Sequence, residues 1–453
     1  MTIGNPRPSA GGGMASPRRV SGFTAACVLV GNVIGTGIFT TTGFMARDLG
    51  DPGLILSLWF VGALLALAGA ISYSELGAAM PQAGGDYIYL RQAYGPFMGF
   101  LTGWASFTVG FGAAIAAGAV SFASYLLQLF PLGSESSLVP KLLALALIWI
   151  VTGFHLAGTG PGGFLQRLLT ILKVVAILML VVGGFAFGHG RWDHLSYSAP
   201  SLTPGLGTMI VSLIFVTYAY SGWNVAGYIA GEIADPGRNI PRTMIWGTLF
   251  VGFVYLLVNL VYIYALPVAA LGQPPVLPVA QKASVALFGP VGARFVAVML
   301  CISIVGAVSA MVWAGPRVYY AMARDGVFPA MFAHTRDDSG TPGKSIILQS
   351  AWATLLVFSG SFEQLVIYSG VVLAIFSAIA VGAVIVLRWR SPELIRPYRV
   401  PLYPLVPCFY VALSAVIVFY TAVERPTESA LAVASVAAGV PFYIFWRRSL
   451  RSE

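Results

Sequence analysis

The chain has 453 residues, 58% of them hydrophobic and only 9% charged, with a mean hydropathy of +0.84. Soluble domains carry roughly 25% charged residues, so the composition excludes a soluble enzyme and points to an integral membrane protein. The net charge of +9 does not call for nucleic acid, because the basic residues are spread between apolar segments rather than gathered in a patch.

Residues 1–21 hold Gly11-Gly12-Gly13 and several prolines but no continuous apolar stretch. They read as a short disordered tail rather than a cleavable signal. The first apolar segment, about 22–46, is long enough for a bilayer, which needs about 20 residues. Gly31-Asn32-Val33-Ile34-Gly35-Thr36-Gly37-Ile38-Phe39 interrupts it in the middle. Three glycines in seven residues weaken helical pairing, and irregular backbone within hydrocarbon survives only when buried in protein or facing a water-filled cavity. The second segment, about 54–79, ends on Ser74-Glu75-Leu76-Gly77, where Glu75 suits a cap or interfacial role.

Further segments are predicted at about 95–130, 138–158 and 163–187. The last carries Lys173 with apolar neighbours on every helical face. A lysine inside a span is costly and by default functional. Arg167 already marks the inner interface, which leaves Lys173 about 9 Å deeper at 1.5 Å per residue. It either titrates, replaces a bound cation, or snorkels to the headgroups. The sixth segment, about 205–232, is broken near Tyr218-Ala219-Tyr220-Ser221-Gly222-Trp223-Asn224 and closes on Glu232-Ile233-Ala234-Asp235-Pro236-Gly237-Arg238, a cytosolic elbow. Segments at about 243–266, 284–322, 345–361, 364–388, 402–423 and 427–446 complete twelve. Cys27, Cys301 and Cys408 all fall inside apolar segments and read as small buried hydrophobes. The four histidines are scattered and no HExxH occurs, so neither a metal nor a cofactor is expected.

With the N-terminus inside, eighteen of the 25 basic residues fall on the cytosolic side, six fall outside, and Lys173 lies within a span. That bias predicts cytoplasmic termini at both ends of a multi-pass protein in the cell membrane. Segments one to five (about 22–187) and six to ten (about 205–388) each begin with a Gly-interrupted helix. This is the arrangement of an inverted repeat. The predicted fold is therefore an all-α membrane protein. It has twelve transmembrane helices, a 5+5 inverted repeat and discontinuous helices 1 and 6. A single transporter domain spans 22–447, helices 11 and 12 (about 402–447) stand outside the repeat, and 448–453 form a cytoplasmic tail.

A broken helix leaves N–H groups free where its outer half begins and C=O groups free where its inner half ends. Around Ile34-Gly35-Thr36-Gly37-Ile38, free N–H groups at the positive end of a helix dipole suit a carboxylate. Carbonyls near Tyr218 to Ser221 suit an ammonium. Together they suit the zwitterionic backbone of an amino acid. Glycine-mediated packing explains Gly31–Gly35 taken alone, but two breaks in matching places favour a binding site. Tyr218 and Trp223 flank the second break, where an aromatic ring closes over substrate as a gate or simply packs. Asn224 either contacts substrate or ties down unwound backbone. The candidate binding residues are thus Ile34, Gly35, Thr36, Gly37, Ile38, Tyr218, Ser221, Gly222, Trp223 and Asn224.

These residues together resemble the amino acid–polyamine–organocation superfamily, nearest its L-type amino acid transporter branch and bacterial permeases. The first-helix motif Gly35-Thr36-Gly37-Ile38-Phe39 and the sixth-helix motif Tyr218 to Asn224 carry the likeness. So do the second-to-third connection Pro81-Gln82-Ala83-Gly84-Gly85-Asp86-Tyr87 and the eighth-helix ending, Arg317 with Ala323-Arg324-Asp325-Gly326-Val327-Phe328-Pro329. The resemblance implies a substrate site between helices 1 and 6, with Tyr218 at the aromatic gate position. It also implies that Lys173 fills the place of a sodium ion, with Ser309 as its candidate partner. Heteromeric members attach a heavy chain through a cysteine between helices 3 and 4. Phe130 to Lys141 contains none, so no disulfide-linked heavy chain is expected. Thr40-Thr41-Thr42-Gly43 stands where those light chains carry Ser-Pro-Lys-Gly, which places the chain with the bacterial permeases.

The expected function is sodium-independent transport of amino acids by alternating access, as neutral amino acid exchange. A neutral substrate is favoured because Ser221 and its surroundings offer no acidic residue. The alternatives are proton symport with Lys173 as the carrier and, more distantly, a membrane sensor that binds amino acid without moving it. The expected partners are the amino acid and the lipid bilayer.

Overall fold

The computed structural model describes residues 20–82, 84–130, 138–196, 204–276, 278–335 and 341–449. The N-terminal tail before residue 20, Ala83, the cysteine-free connection 131–137, Arg336 and the last four residues lie outside them. Among the described residues there is no strand, only an isolated bridge between Val20 and Ile233.

In chain order the helices begin with α1 (Gly22–Val33), α2 (Gly37–Leu49), α3 (Pro52–Ala79), α4 (Asp86–Tyr94), α5 (Pro96–Ala105) and, after a π-helical turn at Ser106–Phe111, α6 (Gly112–Leu129). They continue with α7 (Leu138–Leu156), α8 (Thr159–Phe187), α9 (Leu206–Tyr220), α10 (Val225–Tyr228), α11 (Pro236–Ala265) and α12 (Val268–Leu271). The remainder are α13 (Val279–Ala314), α14 (Pro316–Arg324), α15 (Gly343–Val357), α16 (Phe362–Arg390), α17 (Leu405–Glu424), α18 (Pro426–Ala437) and α19 (Gly439–Ser449). Local chemistry sets several ends. Ser21 caps α1 through Thr24 N–H (3.2 Å), Asp51 caps α3 through Leu54 N–H (2.7 Å) with Pro52 in the first turn, and Ser361 and Gln364 form a capping box on α16.

Among the described residues, ten stretches are helical, long and apolar enough to cross a bilayer, counting α1–α2, α5–α6, α13–α14 and α18–α19 as continuous. The segments predicted sixth and ninth appear as α9 and α15, of 15 residues each. Fifteen residues rise about 22 Å, short of the roughly 30 Å hydrocarbon layer. α11 packs along α3, α13 lies against α6 and α8, and α16 lies against α17, burying a continuous apolar core.

Charge appears where elements are tied together. Glu75 ties elements together and is not a helix cap. It is 2% exposed and accepts from Arg388 at 2.6 Å, from Arg396 at 3.3 Å and from Val400 N–H at 2.8 Å. This clamps α3 to the end of α16 and the chain beyond it. At another corner Arg47, closing α2, pairs with Glu363 at the start of α16 (3.0 Å), and Arg425 joins the same carboxylate at 3.3 Å. Val20 N–H donates to Glu232 O and Ala234 N–H to Val20 O, both at 2.9 Å, so the approach to α1 is pinned to the elbow before α11. Cys27 and Cys301 are buried as expected, whereas Cys408 is exposed on the outer face of α17.

Candidate functional site

Residues 34–36 leave the helical path between α1 and α2. Ile34 has ψ +79°, and Gly35 N–H turns back to Val33 O at 2.7 Å. The carbonyls that should continue α1 are taken by side chains from other helices. Lys173, wholly buried on α8, donates to Gly31 O at 2.7 Å and to Ile34 O. Tyr255 on α11 donates to Val33 O at 2.7 Å. With no turn of helix below them, the N–H groups of Thr36, Gly37 and Ile38 have no protein acceptor among the described residues. On the far side of those peptides, Thr40 and Thr41 donate to Thr36 O (2.8 Å) and Gly37 O (2.9 Å).

The second break is tighter. α9 stops at Tyr220; Ser221 is extended (ψ 149°) and Gly222 has φ +100°, which a side chain rarely adopts. Tyr218 O accepts Ser221 N–H at 3.0 Å and Ser221 Oγ at 2.7 Å, and Ala219 O accepts Tyr255 Oη at 3.1 Å. Of the carbonyls expected to receive an ammonium, only those of Tyr220 and Ser221 therefore lack a protein donor among the described residues.

The two breaks touch. A Cβ on Gly37 would sit 2.5 Å from Ala219 Cα, so the start of α2 runs against the bare backbone of α9. Asn32 Nδ2 donates to Gly222 O at 3.3 Å, and the hydroxyls of Thr36 and Tyr218 lie 3.3 Å apart.

A cavity opens beside this junction. Gly35, Thr36 and Gly37 line it from the first break, and Tyr218, Ser221, Gly222 and Asn224 from the second. Ser106 and Phe111 of the π-helical turn, Met311 on α13 and Phe376 and Ser377 on α16 close the other walls. π-turns recur at functional sites because the widened turn frees a carbonyl. A smaller cavity on the α17 side shares Ser221, Gly222, Asn224 and Ser377 and reaches Tyr410 and Ser414.

Seven of the ten candidate binding residues thus border one space. Ile34 and Ile38 do not; their side chains are buried in the core, and only their backbone faces the break. Trp223 lines the smaller cavity instead, held edge-on by Tyr73 (5.5 Å) and Tyr410 (6.0 Å). Lys173 lies behind the first break, beside Gly306 of α13, where an added Cβ would meet Leu169 Cβ at 3.2 Å. The expected pairing of Lys173 with Ser309 is corrected: Ser309 Oγ is 2.9 Å from His155 Nε2, and backbone carbonyls already receive the ammonium.

The expectation of a wall without acidic residues is also corrected. Asp86, at the first turn of α4, lines the main cavity and is nearly fully buried. It accepts from Tyr73 Oη, from Tyr228 Oη at 2.7 Å and from Asn224 Nδ2 at 3.5 Å. Gly84 and Gly85, at φ +129° and +51°, turn the chain so that this carboxylate faces inward. The signal was in the sequence, an acid directly after a Gly-Gly pair, yet it resembled a loop charge. Tyr255 carried no signal distinguishing it from the other aromatics of α11.

Helices interrupted around a shared cavity, inside a bundle with apolar outer faces, define a membrane transporter, not an enzyme. The profile described as amino acid permease matches residues 20–442, and the chain belongs to that family. It is 30% identical over 424 residues to the serine/threonine exchanger SteT of Bacillus subtilis (strain 168), covering 92% of this chain and 94% of that protein. Large neutral amino acids transporter small subunit 2 of Oryctolagus cuniculus is 28% identical over 455 residues, covering 98% and 83%. Asc-type amino acid transporter 1 of Mus musculus is 27% identical over 436 residues, covering 94% and 81%. The resemblance to the amino acid–polyamine–organocation superfamily and its L-type branch is thereby established. The chain is a multi-pass membrane protein of amino acid transport.

Proposed function

We propose that this protein is a sodium-independent exchanger of neutral amino acids that works by alternating access. In this reading it has twelve transmembrane helices in a 5+5 inverted repeat, sits in the cell membrane with both termini cytoplasmic, and needs no disulfide-linked heavy chain. The α-carboxylate docks on the free N–H groups of Thr36, Gly37 and Ile38, where the dipole of α2 favours an anion. The α-ammonium meets the carbonyls of Tyr220 and Ser221. Tyr218, linked to Thr36 across the junction, closes over the substrate. Asn224 is the polar contact on the far side of the break.

The observation that carries this reading is the contact between the two breaks around one cavity, with Lys173 placed on the carbonyl end of α1. An ammonium on two backbone carbonyls does what a bound sodium ion would do there. The carrier then holds its first break in shape without an external cation. Three neutral donors, Tyr73, Tyr228 and Asn224, hold the Asp86 carboxyl in place without cancelling any charge it carries, so the neutral-substrate reading does not rest on this wall. The names of the relatives, an exchanger of serine and threonine among them, agree with a neutral substrate.

The test is reconstitution in liposomes loaded with unlabelled neutral amino acids. Uptake of labelled substrate should require internal amino acid and be equal in sodium and in choline. Uptake that proceeds into empty liposomes under an imposed pH gradient, and that Lys173→Ala abolishes, would establish proton symport instead. Binding without any uptake or exchange would leave the sensor reading.

A further inference from the structure

One wall of the main cavity is a single stretch of backbone, running from α5 through the π-helical turn into α6. Ala105 and Ala114 both line it, nine positions apart. On a regular α-helix, at about 100° per residue, that spacing sets them about half a turn from each other. The π-helical turn at Ser106–Phe111 takes up one extra residue and brings them within about a quarter turn, so both meet the cavity. The return from i→i−5 to i→i−4 pairing skips one carbonyl. Thr108 O lies in that turn and takes the indole N–H of Trp352 at 2.7 Å.

Trp352 belongs to α15, none of whose residues lines either cavity. Its ring leans on Phe107 of the same turn (5.8 Å, 36°), and a Cβ added to Gly112 would stand 2.6 Å from Trp352 Cδ1. One turn earlier on α15, Gln349 accepts from Tyr319 Oη at 2.8 Å and donates to Met311 O at 3.1 Å. α15 thus also grips the backbone of Met311, on another wall of the same cavity.

We propose that Trp352 is a positioning residue for the side-chain end of the substrate, whose indole N–H keeps the π-helical turn widened and with it Ser106 and Phe111 on the cavity wall. The proposal rests on the functional reading above, in which the breaks hold the amino acid backbone and the other walls meet its side chain. A carbonyl skipped by helical pairing inside an apolar bundle has no water to turn to, and leaving it unpaired is costly. Trp352 removes that cost. Without the indole N–H, regular α-helical pairing becomes the better-satisfied state. One side of the turn then rotates by about 100° against the other, and Ser106 and Phe111 no longer share the wall. The N–H groups of Thr36, Gly37 and Ile38 belong to another element and keep their places.

The experiment measures exchange by the full-length protein in liposomes, with KM taken for the smallest and the largest neutral amino acid that the wild type carries. Trp352→Phe keeps an aromatic ring against Phe107 and deletes the N–H. It should change the ratio of the two KM values about tenfold, the worth of one methylene in an apolar pocket. The maximal exchange rate of the smaller substrate should stay near wild type. Ser106→Cys should react with a small methanethiosulfonate reagent and be protected by bound amino acid, and adding Trp352→Phe should abolish that protection. Trp104→Phe is the matched control. Trp104 Nε1 donates to Ser435 O at 2.9 Å, so this variant also loses an indole hydrogen bond beside the turn, yet it should keep both the ratio and the protection. Should Trp352→Phe not fold, 3-benzothienylalanine at position 352 carries sulfur in place of the N–H within the same bicyclic frame, with the same expected results. An unchanged KM ratio, protection left intact, or an equal change in Trp104→Phe overturns the proposal; so does a Ser106→Cys that amino acid never protects. A wild type that exchanges no amino acid overturns the functional reading first, whereas a wild type that exchanges and a Trp352→Phe with the same ratio overturns only the role of Trp352.

Discussion

Lys173 and Asp86 are two charges placed in the same core by opposite means. Lys173 spends its ammonium on the carbonyls of Gly31 and Ile34, so its partner is a helix end rather than an acid. Lys173→Ala leaves both carbonyls buried and unpaired, at about 1–3 kcal/mol each. It is expected to cut exchange at least tenfold in liposomes and to lower the melting temperature. Asp86→Asn offers one acceptor oxygen where the carboxylate offered two, so Tyr73 and Tyr228 compete for it. It is expected to weaken uptake severalfold while leaving the preference for neutral substrates intact, read from competition by arginine and leucine. Lys173 was legible in the sequence because a charge amid apolar residues on every face stands out. Asp86 was not, because its burial depends on where a Gly-Gly turn aims it and on tyrosines 13 residues before and 142 residues after it.

The helix breaks are a property of elements. Their existence follows from glycine content, but their contact does not. Gly37 is needed because a methyl group there meets backbone, which has nowhere to move; Gly222 is needed because of its φ of +100° and the Asn32 amide against it. Gly37→Ala and Gly222→Ala are each expected to abolish transport and to lower thermal stability. Gly153→Ala, whose Cβ would meet nothing within 4 Å, is expected to behave as wild type in the same uptake assay. The sequence pattern also expected free N–H groups around Gly37, and those of Thr36, Gly37 and Ile38 have no protein acceptor among the described residues. It overestimated the free carbonyls, since it had no means of seeing that Tyr255 and Ser221 would occupy those of Ala219 and Tyr218. Trp223 was read from its position beside the break as either a gate or a packing residue; the edge of Tyr410, far along the chain, holds it in the smaller cavity.

At the scale of the whole molecule, ten spans among the described residues stand out by length and apolarity, and α9 and α15 fall short of them. α9 is short because its segment is interrupted at Ser221, and that interruption is part of the site. Inverted topology cannot be read from helix lengths, and it is tested by labelling. Single cysteines placed in the two terminal tails are expected to react with an impermeant maleimide only in inside-out vesicles. The Arg47–Glu363–Arg425 cluster joins α2, α16 and the α17–α18 turn. Glu363→Gln is expected to cost about 1 kcal/mol or less in stability, as half-exposed pairs do, and to be detected in the exchange rate rather than in melting. The bare approach of α2 to α9 has one more consequence. Amide and carbonyl units are the same at every position of every chain, so a docking point made from them is sensitive only to the few residues that shape the backbone there, Gly37 and Gly222 among them. On the function proposed above, descendants of this gene can change what kind of amino acid they carry by altering residues such as Met311, Phe376 or Ser377, while Gly37 and Gly222 keep the grip on the part common to all amino acids.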